Sequence, residues 1–227
     1  LKKTEKRIKY NIFGTKTGRL TTEPNSFPIL TLKKEYRTII EPNNDLFVEL
    51  DFNAAELRTL LSLMGKEQPK GDIHDWNAKN VFHGIQRKQA KERIFAWLYN
   101  PSSKDRLACG TYDKKLVKEK HWDGKIVKTP YGREIEADDF HALNYLIQST
   151  TADMVLRQTI KVYNLLKNSK SHIAFIIHDS LVIDLAKEDK GLLESIFSTF
   201  SKTSLGEYDI SVQAGKNFGE MKEIKWK

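Results

Sequence analysis

HIAFIIHDSLVIDL, residues 172–185, decides the fold. Two short apolar runs meet at Asp179 and Ser180, which predicts a tight β-hairpin with an acid at its turn. A second strand is read at LFVEL, residues 46–50, where Leu46, Val48 and Leu50 alternate with Phe47 and Glu49 and deliver Asp51 at the strand end. A helix follows from Asn53. Leu57, Leu60, Leu61 and Met64 recur at i, i+3, i+4 and i+7 on one apolar face, and Gly65 ends the run. Asn53 and Glu56, three residues apart, read as a capping-box-like pair at its start.

Further helices are predicted over Asp72–Phe82 and Arg87–Tyr99, the second closed by Asn100 and Pro101, and a lysine-heavy one near 104–120. GKIVKTPYGREIE, from Gly124, reads as a hairpin turning around Pro130–Gly132. A long helix over Asp138–Leu166, a last helix near 187–202 and a strand near 208–213 complete the pattern. Strands and helices alternate irregularly, as in an α+β fold.

The 227 residues, 39% hydrophobic, suffice for one sizeable core or two small lobes. Lys and Arg number 38 against 30 Asp and Glu, a net charge of +8 that suits a polyanionic partner or simply a basic surface. The single cysteine, Cys109, excludes an internal disulfide and a cysteine-based zinc site, and fits a reducing compartment; a cytoplasmic protein is expected, in host cytoplasm if phage-encoded. No apolar run is long enough to span a bilayer, so no membrane partner is expected. The first residue is Leu1, and the numbering is expected to start inside a larger protein.

Asp51 and Asp179 stand where neighbouring strands of one sheet would bring them together. Paired carboxylates repel, and at neutral pH they call for a cation, with hard oxygen ligands favouring magnesium. Taken singly, either acid more often just caps a turn. Arg87, Lys91, Phe95 and Tyr99 lie four residues apart and form a slowly winding stripe about 18 Å long, cationic at one end and aromatic at the other. Such a stripe suits a triphosphate and a base, although from this helix alone an amphipathic helix with a solvated basic end and a buried aromatic end is the commoner explanation.

DFNAAELRTLL, from Asp51, resembles motif A of the family A DNA polymerases, the bacterial DNA polymerase I and phage replicase type. RKQAKERIFAWLYN, from Arg87, resembles their motif B, and IIHDSLV, with His178 and Asp179, their motif C. TGRL at Thr17, GDIH at Gly71, TPYGR at Thr129 and NYLIQSTTAD at Asn144 follow the family's order, so the resemblance covers the chain from about residue 10 onward. It implies an α+β polymerase palm with an antiparallel sheet packed on helices, plus a helical fingers subdomain. The palm would comprise residues 1–70, with a remnant of the thumb junction, and 138–227, with the catalytic hairpin; reduced fingers would span 71–137.

The implied activity is template-directed addition of deoxynucleotides to a primer 3′ end. Asp51 and Asp179, with the Phe52 carbonyl, would hold two Mg2+ ions, with Mn2+ as a substitute. Glu56, His74, Arg87, Lys91, Phe95 and Tyr99 would bind the deoxynucleoside triphosphate, Lys91 also serving catalysis and Glu56 closing the space beside the sugar 2′ carbon. For His74 the plainer alternative is an exposed histidine in a first helical turn. Arg19, Asn144, Gln148 and His178 would touch primed template DNA, the first three checking the minor groove, where every correct pair presents acceptors.

Departures from the family pattern are Ser180 for a common glutamate, Asn100 and Ser149 for glycines, and Phe140 for a common arginine. The stretch between Asn100 and Asn144 is short, as in a compact phage enzyme. Thumb and exonuclease motifs are not among these residues, so a separate exonuclease or thumb-bearing polypeptide is an expected partner, and the basic opening KKTEKRIK would grip the duplex. The alternative is a non-catalytic, primed-DNA-binding subunit of a split or larger polymerase. Glu56 and Phe95 argue against a single-subunit RNA polymerase, and no paired-aspartate hairpin of the reverse-transcriptase type is visible.

Overall fold

The computed structural model describes residues 7–225, so the start of the basic opening, through Lys6, lies outside the described residues. The chain divides into two compact units. Strands and helices are numbered along the chain, the two-residue strands β8 and β9 being Lys202–Thr203 and Gly206–Glu207.

The first unit comprises the residues up to Phe52, Ala152–Thr203 and those from Ile210 onward. Its centre is a five-stranded antiparallel sheet of β3 (Leu46–Phe52), β6 (His172–Ile177), β7 (Ser180–Leu185), β10 (Ile210–Gly215) and β11 (Lys222–Glu223). The order is β11-β10-β3-β7-β6, so the strand read from LFVEL sits in the middle, between β10 and the hairpin. The alternation of side chains explains both faces. On one, Phe47, Phe175, Ile177 and Val182 form a buried cluster with Ile29 and Phe218. Val48, Leu50 and Phe52, one residue out of phase, are buried on the other, where Phe52 stacks on Phe200 of α7 (Leu193–Ser201) at 4.3 Å. The second half of α6 (Ala142–Leu166) belongs to this unit, and its Gln158 Nε2 donates to the carbonyls of Thr199, Phe200 and Lys202. Of the small ribbon β1 (Tyr10–Asn11) and β2 (Thr21–Thr22), Tyr10 reaches the outer strand: its hydroxyl donates to Ile176 O at 2.6 Å and accepts from Ile176 N at 2.9 Å.

The second unit holds Asn53–Thr151 and Ser204–Asp209. It is helical, with α1 (Ala55–Leu63), α2 (Ile73–Asn80), α3 (Arg87–Tyr99), α4 (Arg106–Thr111), α5 (Lys114–His121) and the first half of α6 around a core that includes Leu57, Leu60, Ile94, Trp97, Val117 and Ile147. The predicted hairpin is present as β4 (Ile126–Lys128) and β5 (Glu134–Glu136), paired antiparallel, with Gly132 at φ 83° in the turn. A buried polar knot ties the unit together: Thr59 Oγ1 lies 3.0 Å from Thr151 Oγ1 and 3.2 Å from Tyr208 Oη, which also meets Ser62 Oγ at 3.2 Å.

Four expectations need correction. The lysine-heavy helix is two helices, because Asp105 caps α4, Asp113 caps α5, and Tyr112 between them is buried, its hydroxyl donating to Asn77 Oδ1 at 2.7 Å. The β6–β7 turn is His178–Asp179, one residue earlier than read, because Ser180 already pairs with Asp51 in the ladder. Asp51 lies inside β3 rather than at its end. Asn53 does not cap α1: the residue before the helix is Ala54, in left-handed conformation at φ 51°, ψ 48°, with no side-chain cap.

Candidate functional site

In the first unit, antiparallel register brings the two acids together. Asp51 is the ladder partner of Ser180, and Asp179 is the turn residue just before Ser180, so standard sheet spacings put the two aspartate Cα atoms roughly 6 Å apart, one on β3 and the other at the mouth of β7. Ile177 pairs with Ser180, leaving His178 and Asp179 as the two loop residues of the hairpin. His178 sits at φ 52°, a positive φ that a two-residue turn commonly assigns to glycine. Holding a histidine there costs backbone strain, of the kind that collects at functional sites. Ser180, buried, fastens the turn to the central strand, its Oγ lying 2.9 Å from Glu49 Oε1 and 3.0 Å from Ile177 O.

Asp179 lines a cavity of about 300 Å3 with Thr15, Arg19, Val155, Leu156 and His178. Surrounding protein desolvates its carboxyl and raises its pKa, a change that the nearby Arg19 guanidinium only partly opposes. His178 is driven the other way, towards the neutral imidazole, by desolvation and then by the charges of Arg19 and Arg37. Of the expected DNA-contacting residues, Arg19 and His178 therefore share one cavity.

The residues fit a hard divalent cation. Asp179 is a desolvated carboxylate whose charge is disfavoured without a counter-ion, and Asp51 is a second carboxylate on the adjacent strand. Phe52, whose carbonyl is the third expected ligand, follows Asp51 and is anchored by its ring on Phe200. Among the described residues no cluster of three or more His, Cys, Asp or Glu side chains is arranged to hold a metal. Two carboxylates and one carbonyl leave the remaining positions to water and substrate oxygens, the habit of magnesium.

In the second unit, α3 carries the stripe over the predicted residues. Its first turn is closed by a capping box between Gln86 and Gln89. The Phe95 and Tyr99 rings stack 5.8 Å apart with planes inclined by 18°, and Lys91 Nζ lies 5.9 Å from the Phe95 centroid. Tyr99 Oη donates to Glu56 Oε2 at 2.6 Å, so the buried Glu56 is bonded across 43 residues of sequence. Asn144 and Gln148 are one helical turn apart on α6, and Asn144 Nδ2 donates to Tyr99 O at 3.4 Å.

His74, on α2, is buried, which corrects the exposed alternative, and its ring meets Phe95 edge-on at 5.2 Å. Burial, the largest cause, pushes its pKa down to about 4; Asp72 pulls upward against it, and the charges of Lys91, Arg87 and Arg58 each add a smaller downward push. His74 is therefore neutral at pH 7, a hydrogen-bonding group rather than a cation, and its Nδ1 is buried with no partner among the described residues.

Two residues of this unit escaped the sequence reading. Arg58, only 1% exposed, donates from Nε to Asn53 O at 3.0 Å, from Nη1 to Pro69 O at 2.9 Å and Gln68 Oε1 at 3.4 Å, and from Nη2 to Gly71 O at 2.6 Å and Asp209 Oδ2 at 3.2 Å. Asp72 caps α2, its Oδ1 accepting from His74 N at 2.8 Å and Asp75 N at 2.9 Å, while its Oδ2 takes the Arg87 guanidinium. Only the Asp two residues before His74, at an N-cap position, could have signalled the second.

No protein-family model matches the chain. It is 26% identical to "DNA polymerase I, thermostable" of Thermus aquaticus over 232 residues, covering 79% of this chain and 28% of that protein. It is also 26% identical to "DNA polymerase" of Bacillus phage SP01 over 294 residues, covering 93% of this chain and 31% of that one. The chain thus spans about a third of the length of these curated relatives. Among solved structures, the POL domain of Pol1 from M. smegmatis, in complex with DNA primer-template and dNTP, superposes with a TM-score of 0.74 at 16% identity, covering 93% of this chain and 48% of that one. The fold is that of a polymerase domain, mixed α+β. Among the described residues no helix is long and apolar enough to cross a membrane.

Proposed function

We propose that the chain is the polymerase region of a family A DNA polymerase, as its likeness to the DNA polymerases of Thermus aquaticus and Bacillus phage SP01 supports, and that it adds deoxynucleotides to a primer 3′ end on a DNA template. The observation that carries this reading is the register that sets Asp51 opposite Ser180 and so beside Asp179. In this reading residues 1–70 and 138–227 are palm and 71–137 are reduced fingers.

Asp51, Asp179 and the Phe52 carbonyl hold two Mg2+ ions, or Mn2+ in their place. When bound, such a pair lowers the pKa of the attacking hydroxyl and offsets charge on the leaving group. The remaining work falls to side chains. Arg87 and Lys91 supply positive charge to the triphosphate, Arg87 through a planar fork and Lys91 as a point charge that also stabilises the departing pyrophosphate. His74, neutral, donates a hydrogen bond without charge. Phe95 and Tyr99 offer ring faces to the base, and Glu56, held by the Tyr99 hydroxyl, fills the space beside the sugar 2′ carbon. Arg19, Asn144, Gln148 and His178 contact the primed duplex.

The test is extension of a primed template with Mg2+. Asp51→Ala and Asp179→Ala should each abolish extension while DNA binding survives, and near-normal extension by either variant refutes the assignment. The alternative reading is a non-catalytic, primed-DNA-binding subunit of a split or larger polymerase. Binding without extension, alone and with candidate partners, would support that reading.

A further inference from the structure

Asp72 performs two tasks with its two oxygens. Oδ1 accepts the first-turn amides of His74 and Asp75 and so fixes the start of α2. Oδ2 accepts both Nε (3.2 Å) and Nη2 of Arg87, the first residue of α3. The arginine is half-exposed and Asp72 is a third exposed, so the pair stands at the surface of its unit, where an incoming anion can reach it. The next carboxylate, Asp75, lies 3.9 Å from Arg87 Nε. Asp72 is itself held by more than its ion pair, because Arg58 grips the carbonyl of the preceding Gly71 at 2.6 Å. The carboxylate is thus fixed by backbone bonds, whereas the guanidinium is tethered only by its flexible stem.

We propose that Asp72 is the internal counter-ion of Arg87, a positioning residue that holds the guanidinium ready and gives it up to a polyphosphate. The proposal rests on the reading of Arg87 as a triphosphate ligand. A phosphate oxygen and the carboxylate oxygen compete for the Nε/Nη2 edge of the guanidinium, so an anion that takes that edge must displace Asp72, and one that takes the Nη1 side meets the carboxylate's opposing charge. The carboxylate therefore weakens ground-state binding while keeping the arginine in a defined place before the anion arrives.

Asp72→Asn separates the two tasks. Asparagine caps a helix as well as aspartate does, so α2 keeps its first-turn acceptor and only the charge is lost. An exposed ion pair contributes up to ~1 kcal/mol, so the variant should bind polyphosphate about two- to fivefold more tightly. The probes are inorganic tripolyphosphate, which has neither base nor sugar, and a complementary dNTP on the full chain with a dideoxy-terminated primed template. Both should show the gain. Asp75→Asn should show a smaller one, and Arg87→Ala should erase the gain, so that Asp72→Asn/Arg87→Ala binds as Arg87→Ala does. Asp72→Ala, lacking the cap, should unfold at lower temperature than Asp72→Asn. Equal or weaker tripolyphosphate binding by Asp72→Asn overturns the proposal, as does a gain that survives Arg87→Ala. The two readings can fail separately: a wild-type chain that extends no primer, paired with a tighter-binding Asp72→Asn, sinks the polymerase reading and leaves the counter-ion standing.

Discussion

Replacing Arg58 with methionine keeps an unbranched apolar stem and removes every donor. Three backbone carbonyls, those of Asn53, Pro69 and Gly71, then lose a hydrogen bond in a place that is 1% exposed at the arginine. At about 1 kcal/mol for each bond, the loss is ~3 kcal/mol. The ion pair adds little, because Asp209 is 40% exposed. Against this stands the desolvation of the guanidinium itself, which lowers the Arg58 pKa and which methionine avoids. The net destabilisation should be about 2–3 kcal/mol, equivalent to roughly 4–12 °C in Tm. Urea unfolding followed by tryptophan fluorescence in a Trp226→Phe background reads the right part of the molecule, since the other three of the four tryptophans, Trp76, Trp97 and Trp122, lie in the second unit. Arg58→Lys should recover only part of the loss, because one ammonium cannot present a planar fork to acceptors spread from Asn53 to Gly71. Faster hydrogen exchange at the His74 and Asp75 amides should accompany both changes, since the loop that Arg58 grips leads into α2. A loss below ~1 kcal/mol for Arg58→Met, or none at those amides, would show that the carbonyls find other partners and that the arginine is not what holds the loop.

Three further outcomes are expected. With a folded-state pKa of about 4 against 6.5 unfolded, His74 takes up a proton only in the unfolded chain between those values. Its contribution is present in full above pH 6.5 and is lost as pH falls towards 4; urea midpoints should show a steeper decline over that window in the wild-type chain than in His74→Gln, and identical slopes would refute the burial argument. Because desolvation raises the Asp179 pKa, its ionisation opposes folding at pH 7, so without divalent cations Asp179→Asn should be the more stable protein in a thermal scan, an advantage that shrinks as pH falls into the carboxylate range. Added Mg2+ should raise the wild-type melting temperature and leave that of Asp179→Asn nearly unchanged. Ala54, in left-handed conformation at φ 51°, carries a strain of ~1–2 kcal/mol that glycine avoids, partly offset by the greater freedom of unfolded glycine; Ala54→Gly should stabilise the chain by about 0.5–1 kcal/mol in urea unfolding, and destabilisation would refute the strain.

The central sheet was legible because β3 and the β6–β7 hairpin write their burial as short apolar and alternating runs, a local pattern. The helix α3 was legible from its closing Asn100-Pro101 and its four-residue spacing. What escaped depended on distant partners. Asn53 and Glu56 have capping-box spacing, yet Glu56 answers to Tyr99, and the turn before α1 is taken by Ala54 in a conformation its sequence does not advertise. The hairpin turn shifted by one because Ser180 looks like a loop residue until Glu49 and Asp51 of β3 are placed opposite it. His74 looked like a surface histidine because its burial comes from Phe95 on another helix. Arg58 was invisible for a plainer reason: three of its acceptors are backbone carbonyls, which every residue has.

Tyr10 has a consequence for how the sheet ends. Ile176 belongs to β6, the outermost strand, beside the Asp179 turn, and a bare strand edge there would offer its amide and carbonyl to any passing chain. One phenol answers both groups, and burial raises its pKa to about 12, so it keeps its proton, and with it the ability to donate, throughout the physiological range. A single side chain thus occupies the amide and carbonyl of Ile176 without adding a strand, and at that point of the margin the chain's own aromatic stands where a neighbour's backbone would pair.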